Sequence, residues 1–137
     1  MNNDEEKKIF RKHAFVEDKN NRGNVIISLS GFYPRDHKKY YDVFIKYIKE
    51  LIDKAIEISK NHGKETIIAH LDLRECSMKN FSVSFFKKIN KVLETDYQDV
   101  LKTFYMYSNS KFLEIVWKII KGTIDPVTKE KIKFIKK

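Results

Sequence analysis

Segments that have the pattern of buried strands alternate along this chain with segments that have the length and periodicity of helices. Residues 25–29 and 66–73 are rich in β-branched and other apolar residues and are bounded by turn-forming residues. Residues 36–62, between them, carry apolar side chains at helical spacing and are followed by Gly63, which is typical of a helix end. Because parallel strands need crossover connections, this alternation predicts an α/β fold with a mainly parallel sheet.

The second half of the chain continues the same alternation. The further predicted elements are a helix over 80–96, a strand over 102–107, a helix over 111–121 and a short strand over 131–135. Asn80 is the predicted N-cap of the first of these helices. The segment 66–73 is apolar on both faces, which predicts a sheet covered on both sides. We therefore expect about four to five strands flanked by helices.

The length of 137 residues fits one domain. Residues 1–21 are rich in charge, and we predict a charged N-terminal arm there, either mobile or forming one short docked helix, followed by a single domain over 22–137. No apolar run reaches the roughly 18 residues of a membrane-spanning helix, and the first residues lack the apolar segment of a signal peptide. The single cysteine, Cys76, cannot form an internal disulfide, so we expect a cytoplasmic protein.

The formal net charge of +9 predicts an anionic partner, which could be a nucleic acid, a membrane surface or a phosphorylated small molecule. Residues 111–137 carry eight lysines and three acidic residues, so this segment contributes more than half of the net positive charge. Tyrosines interleave with lysines, a composition that suits nucleic-acid binding by stacking. Their helical and strand spacing favours core packing instead, so nucleic acid is not an expected partner.

The predicted helix over 111–121 has an unusually wide apolar surface. Its charged residues form one narrow stripe, and they are Lys111, Glu114, Lys118 and Lys121. An apolar arc of this width indicates either burial on most sides or contact with lipid. Trp117 stands beside lysines that are long enough to reach toward lipid headgroups, and this composition is typical of helices at membrane interfaces.

Motifs of the common enzyme classes are absent from the sequence. It contains no G-x-S-x-G motif, no glycine-rich phosphate loop and no G-x-G-x-x-G motif. The four histidines have no partner at the spacing of a metal site; they are His13, His37, His62 and His70. Asp72, Arg74 and Glu75 follow a predicted strand, where they form either a ligand-binding loop or a solvated one. We therefore predict a protein that is not an enzyme and has no metal site or cofactor.

A series of short motifs lies in order toward the C-terminus. It comprises Tyr97-x-Asp99, the strand Phe104-Tyr-Met-Tyr, Asn109, Phe112, Trp117-Lys118 and the string Ile124-Asp-Pro-Val-Thr-x-x-Lys131-Ile. Upstream, Leu71-Asp-Leu-Arg74 is followed by Ser77. These residues resemble the Y-P-E-R, N-A-P-x-x-F, L-D-P-x-T-x-x-K-I and D-L-K-G-x-S motifs of the CRAL-TRIO lipid-binding domain family. The resemblance is to the phosphatidylinositol-transfer type in a minimal form, and it covers nearly the whole chain.

The resemblance implies a sheet that forms the floor of a lipid pocket beneath a gating helix at about 111–121. The residues implied at the gate and at the membrane are Phe112, Val116, Trp117, Lys118, Ile120 and Lys121. Those implied at the lipid headgroup are Asp99, Thr128 and Lys131. Ile67 and Ala69 replace the hydroxyl residues with which some members hold choline lipids, so poor phosphatidylcholine binding is expected.

The predicted function is therefore binding of a phosphatidylinositol or phosphoinositide lipid and its transfer between membranes. The lipid is the ligand, and no other cofactor is expected. We expect transient, peripheral association with anionic membranes, and whether two chains form a homo-oligomer stays open. The alternative function is a non-enzymatic scaffold of the same fold that binds a small GTPase or a similar protein.

Overall fold

The computed structural model describes residues 3–136 of the chain. Its α-helices are α1 (Asn3–Arg11), α2 (Tyr41–Asn61), α3 (Val83–Asp96), α4 (Ser110–Ile120) and α5 (Pro126–Lys131). Its strands are β1 (Ala14–Lys19), β2 (Arg22–Ser28), β3 (Ile67–Asp72), β4 (Leu101–Ser108) and β5 (Ile132–Lys136). Short 3₁₀ helices cover Pro34–Tyr40, Met78–Asn80 and Lys121–Thr123.

The strands form one sheet in the order β1-β2-β3-β4-β5. β1 runs antiparallel to β2, and the other three pairings are parallel. The predicted α/β class, with a mainly parallel sheet of four to five strands and flanking helices, is confirmed. Gly63 follows His62, the C-cap of α2, and has a φ of +72°, as its predicted place at a helix end requires.

The core lies between the sheet and the helices, on one face of the sheet. Ile27, Leu71 and Met106 align across β2, β3 and β4 and are buried on this face. The neighbouring row, which contains Phe15 and Tyr105, points to the opposite face and is only partly buried. The prediction of a sheet covered on both sides is therefore wrong for the described residues. Successive right-handed crossovers in one direction place all their helices on the same face.

The described part of the predicted N-terminal arm belongs to the domain. Phe10 of α1 is 0% exposed, and its ring stacks on Phe44 of α2 at 4.7 Å. β1 pairs with β2 along its whole length. The turn that joins the two strands consists of Asn20 and Asn21, whose φ values are 56° and 60°. A two-residue hairpin turn needs a positive φ at both positions, which Asn adopts more readily than most residues do, so the Asn20-Asn21 dipeptide is the local sequence signal for this turn. The boundary predicted at residue 22 therefore does not separate an arm from the domain.

Asn80 connects loops and does not cap α3. Its side-chain amide donates to the Leu29 and Phe32 carbonyls at 3.1 and 3.0 Å, and its Oδ1 accepts from the Ser77 amide at 2.9 Å. Ser82 caps α3, since its Oγ accepts from the Phe85 amide at 3.2 Å. The predicted cap was two residues early because Asn and Ser both fit that role and only tertiary contacts distinguish them.

Candidate functional site

The structure brings the three predicted headgroup residues to one cleft. Asp99, in the turn before β4, and Thr128 and Lys131, in α5, line a cavity of about 270 Å³. Glu94, near the end of α3, and Asp125, just before α5, line it as well. The cleft therefore assembles residues from two segments that are distant in sequence, 93–101 and 125–131.

The start of α5 is determined by its N-cap and its first residue. Asp125 is the N-cap, and its Oδ1 accepts from the Thr128 amide at 2.8 Å, while Pro126 occupies the first turn. Hydrogen bonds from the Thr128 side chain and backbone lower the pKa of Asp125, and the nearby Lys131 ammonium adds to this effect. Thr128 is buried, and Lys131 lies three residues further along the same face of the helix.

Asp99 is presented by a strained turn. Its φ is +64°, a conformation that Asp tolerates better than most residues do, and its side chain is exposed. The turn is anchored to α2, because the Tyr97 hydroxyl donates to Asp53 Oδ1 at 2.8 Å. Burial and this carboxylate raise the pKa of Tyr97 to about 12, so Tyr97 remains a neutral donor. The anchored turn thereby holds Asp99 at the mouth of the cleft.

The cleft is richer in carboxylates than the sequence analysis predicted. Glu94, Asp99 and Asp125 face it, with Lys131 as the lining cation. Among residues 3–136, none of these carboxylates forms an ion pair with a basic side chain. Asp125 lies inside the recognised string and could have been selected from it. No local signal marks Glu94, which reaches the cleft only through the packing of α3 against the segment before α5.

The predicted gating helix is α4. Asn109 caps it through its Oδ1, which accepts from the Phe112 amide at 2.9 Å. Three of the six predicted gate and membrane residues are buried: Phe112, Val116 and Ile120. Trp117 is half-buried, and Lys118 and Lys121 are exposed.

The outward apolar residues of α4 are not the ones that the sequence analysis selected. Trp117 packs its ring against Phe134 of β5 at 5.5 Å and 76°. Ile115 and Ile119 are 42% and 38% exposed, and they lie one turn apart between the lysines. A wide apolar arc does not show which part of it faces the core, so the arc alone could not identify this pair.

A family model settles the relationship that the motifs suggested. The model of the CRAL/TRIO domain matches residues 7–137. The chain belongs to the CRAL/TRIO domain family. Membership supports lipid binding and transfer as the general function, and members of this family are generally not enzymes. No curated protein matches the sequence.

The CRAL/TRIO domain described here is similar to a solved structure. The crystal structure of Sfh5 aligns with a TM-score of 0.78 at 13% sequence identity, over 93% of this chain and 50% of the Sfh5 chain. The chain therefore spans about half the length of Sfh5. At this identity the likeness concerns the fold alone.

The apolar interior of this CRAL/TRIO domain is nearly filled. A cavity of about 40 Å³ lies between the sheet and helices α2 and α3. A dry cavity of about 150 Å³ holds a molecule of the size of benzene, so this much smaller cavity holds no acyl chain in this conformation. Ile67 and Ala69, the positions implied for choline recognition, line the cavity and offer no hydroxyl.

Residues 3–136 contain neither a cluster suited to a metal ion nor a helix suited to span a membrane. No group of three or more histidine, cysteine, aspartate or glutamate side chains in that range is placed to hold a metal ion. No helix within it has both the length and the apolar character that a bilayer-spanning segment needs.

Proposed function

We propose that this CRAL/TRIO domain binds a phosphatidylinositol-type lipid and transfers it between membranes without covalent chemistry. The observation that carries the proposal is the convergence of Asp99, Thr128 and Lys131 on one cleft. Two separate parts of the chain contribute these residues, and the family resemblance implied the same three.

The chemistry of the three side chains suits an inositol phosphate. The Lys131 ammonium provides a charge-assisted hydrogen bond to a phosphate oxygen, which is stronger than a bond from a neutral donor. The Asp99 carboxylate accepts hydrogen bonds from sugar hydroxyls. The Thr128 hydroxyl is a neutral donor on a buried residue, so Lys131 supplies the main phosphate contact.

Docking to a membrane is assigned to the outward stripe of α4. Ile115 and Ile119 are exposed there, and Lys111, Lys118 and Lys121 are exposed around them. At an anionic bilayer the isoleucines enter the apolar region while the lysines keep their ammonium groups among the headgroups. This arrangement supports a peripheral membrane protein, which we place in the cytoplasm.

Lipid uptake requires the packed helices to separate. The buried gate residues Phe112, Val116 and Ile120 contact the core and reach lipid only when α4 moves away from the sheet. Burial of hydrocarbon contributes about 0.8 kcal/mol per CH₂ group, so the acyl chains supply most of the affinity and the headgroup cleft supplies selection.

The Lys131→Ala variant tests the headgroup assignment. A hydrogen bond to a charged group contributes about 1.5–3 kcal/mol, so we expect phosphatidylinositol transfer between vesicles to fall about tenfold to a hundredfold. The free energy of unfolding should change by only about 0.5 kcal/mol, the usual range for surface substitutions. Lys129→Ala is the matched control, because Lys129 is exposed on the same helix and does not line the cleft. A wild-type transfer rate in Lys131→Ala would contradict the assignment.

Salt dependence tests the docking surface. Each lysine near an anionic bilayer contributes about 1 kcal/mol, and this attraction decays over about 8 Å at physiological salt. We expect Lys118→Ala with Lys121→Ala to weaken sedimentation with anionic vesicles up to about thirtyfold at low salt and to flatten its salt dependence.

Two further double variants complete the docking test. Lys54→Ala with Lys60→Ala removes two exposed lysines of α2 and should have little effect on sedimentation with anionic vesicles. Ile115→Ser with Ile119→Ser should weaken sedimentation at every salt concentration, because hydrocarbon burial is not screened. Equal losses for the α2 and α4 lysine pairs would mean that net charge alone drives binding, which would remove α4 as the docking surface.

A further inference from the structure

Glu94 occupies a junction between α3 and the headgroup cleft. Its Oε1 accepts from the Asp125 backbone amide at 3.0 Å and from the Asn90 side-chain amide at 2.7 Å. Asn90 is 4% exposed and also reaches the Thr123 carbonyl at 3.4 Å. These bonds connect α3 with the segment that joins α4 to α5.

The position of α5 depends on this junction. The Asp125 carboxylate accepts a hydrogen bond from the Thr128 amide, and the Asp125 backbone amide donates one to Glu94. The bond to Glu94 therefore holds the residue that starts α5, and with it the two residues that α5 contributes to the cleft, Thr128 and Lys131.

The charge of Glu94 acts on the same cleft. With Asp99 and Asp125 it makes three lining carboxylates, which oppose the one lining lysine, Lys131. A headgroup with one phosphate binds Lys131 through that phosphate, and the ring hydroxyls of the headgroup donate hydrogen bonds to the carboxylates. Each additional ring phosphate brings about two more negative charges toward these carboxylates, and like charges at close range repel.

We infer that Glu94 is a positioning and specificity-determining residue of the cleft. It fixes α5 against α3, and its charge favours a headgroup with a single phosphate and free ring hydroxyls over headgroups with additional phosphates. The ligand in this inference rests on the proposed function. The shared chemistry, a polyol that carries one phosphate, also occurs in soluble sugar phosphates.

The positioning role is tested without any ligand, by hydrogen exchange of the backbone amides in 121–131. Glu94→Gln keeps the acceptor oxygen and should keep the protection of the Asp125 amide. Glu94→Ala removes the acceptor, and we expect exchange there to accelerate about tenfold. Wild-type protection in Glu94→Ala would overturn the positioning role, and this result does not depend on whether the protein binds lipid.

The selectivity is tested by calorimetry with short-chain phosphatidylinositol and short-chain phosphatidylinositol bisphosphate, each below its micelle concentration. We expect wild type to prefer the first lipid, and Glu94→Gln to reduce this preference about tenfold by gaining affinity for the second. Glu130→Gln is the matched control, since it removes one exposed acidic charge of α5 that does not line the cleft, and its preference should equal that of wild type.

The outcomes separate the two proposals. An unchanged preference in Glu94→Gln, while wild type still binds phosphatidylinositol, overturns the selectivity role and leaves the proposed function intact. No binding of either lipid by wild type overturns the proposed function and the selectivity together. Inositol 1-phosphate is the third probe: if it binds as tightly as the lipid, the ligand is a soluble sugar phosphate and the lipid assignment is overturned.

Discussion

Gly23→Ala is expected to lower the free energy of unfolding by about 3 kcal/mol, the upper part of the usual range for overpacking a core. A Cβ atom at residue 23 would lie 1.9 Å from the Ala55 carbonyl oxygen of α2, where no real contact of this kind occurs. The obstacle is helix backbone, which cannot rotate away as a side chain can. The Gly23 amide also donates to Ser59 Oγ of α2 at 2.9 Å, so any separation of β2 from α2 strains this bond.

Gly122→Ala is the matched control for this prediction. Apart from the local backbone and the two neighbouring residues, no atom lies within 4 Å of a Cβ built at residue 122. We expect its stability to stay within about 0.5 kcal/mol of wild type, as for other surface substitutions. Urea denaturation monitored by circular dichroism measures both variants. A Gly23→Ala protein as stable as Gly122→Ala would show that β2 and α2 do not approach each other this closely.

Phe10→Ala is expected to cost about 3–5 kcal/mol of unfolding free energy, the usual loss for a fully buried phenylalanine. Phe10 is 0% exposed, and its ring contacts those of Phe32, Phe44, Tyr47 and Phe85 at centroid distances of 4.7–6.1 Å. These contacts join α1 to α2 and α3, so their loss leaves a cavity at the centre of an aromatic cluster.

Phe15→Ala provides the comparison for Phe10. Phe15 lies in β1 on the uncovered face of the sheet and is 43% exposed, so we expect a loss of only about 1 kcal/mol. Thermal and urea denaturation of both variants distinguish a docked segment from an arm. If Phe10→Ala cost no more than Phe15→Ala, α1 would not be part of the folded core.

Periodicity and local turn chemistry determined most of the fold. β2, β3, β4 and β5 and the helices α2, α3 and α4 follow from apolar spacing, and their alternation determines the parallel sheet. Helix α5 was not predicted, because its six residues are too few to show an apolar period. β1 was missed because its outer residues, such as Glu17 and Lys19, are charged. An edge strand with one uncovered face does not need the apolar pattern by which buried strands are recognised.

The sequence also identified part of the candidate site. The motifs contained Asp99, Thr128 and Lys131. The string that contains Thr128 and Lys131 reflects a local requirement, the capping of α5 by Asp125. Only the tertiary structure decided that the three residues share a cleft, that Glu94 joins them, and that Ile115 and Ile119 are the outward residues of α4. Local sequence sets backbone propensity and the width of an apolar face, whereas the packing of helices on the sheet determines which part of that face is buried and which distant side chains meet.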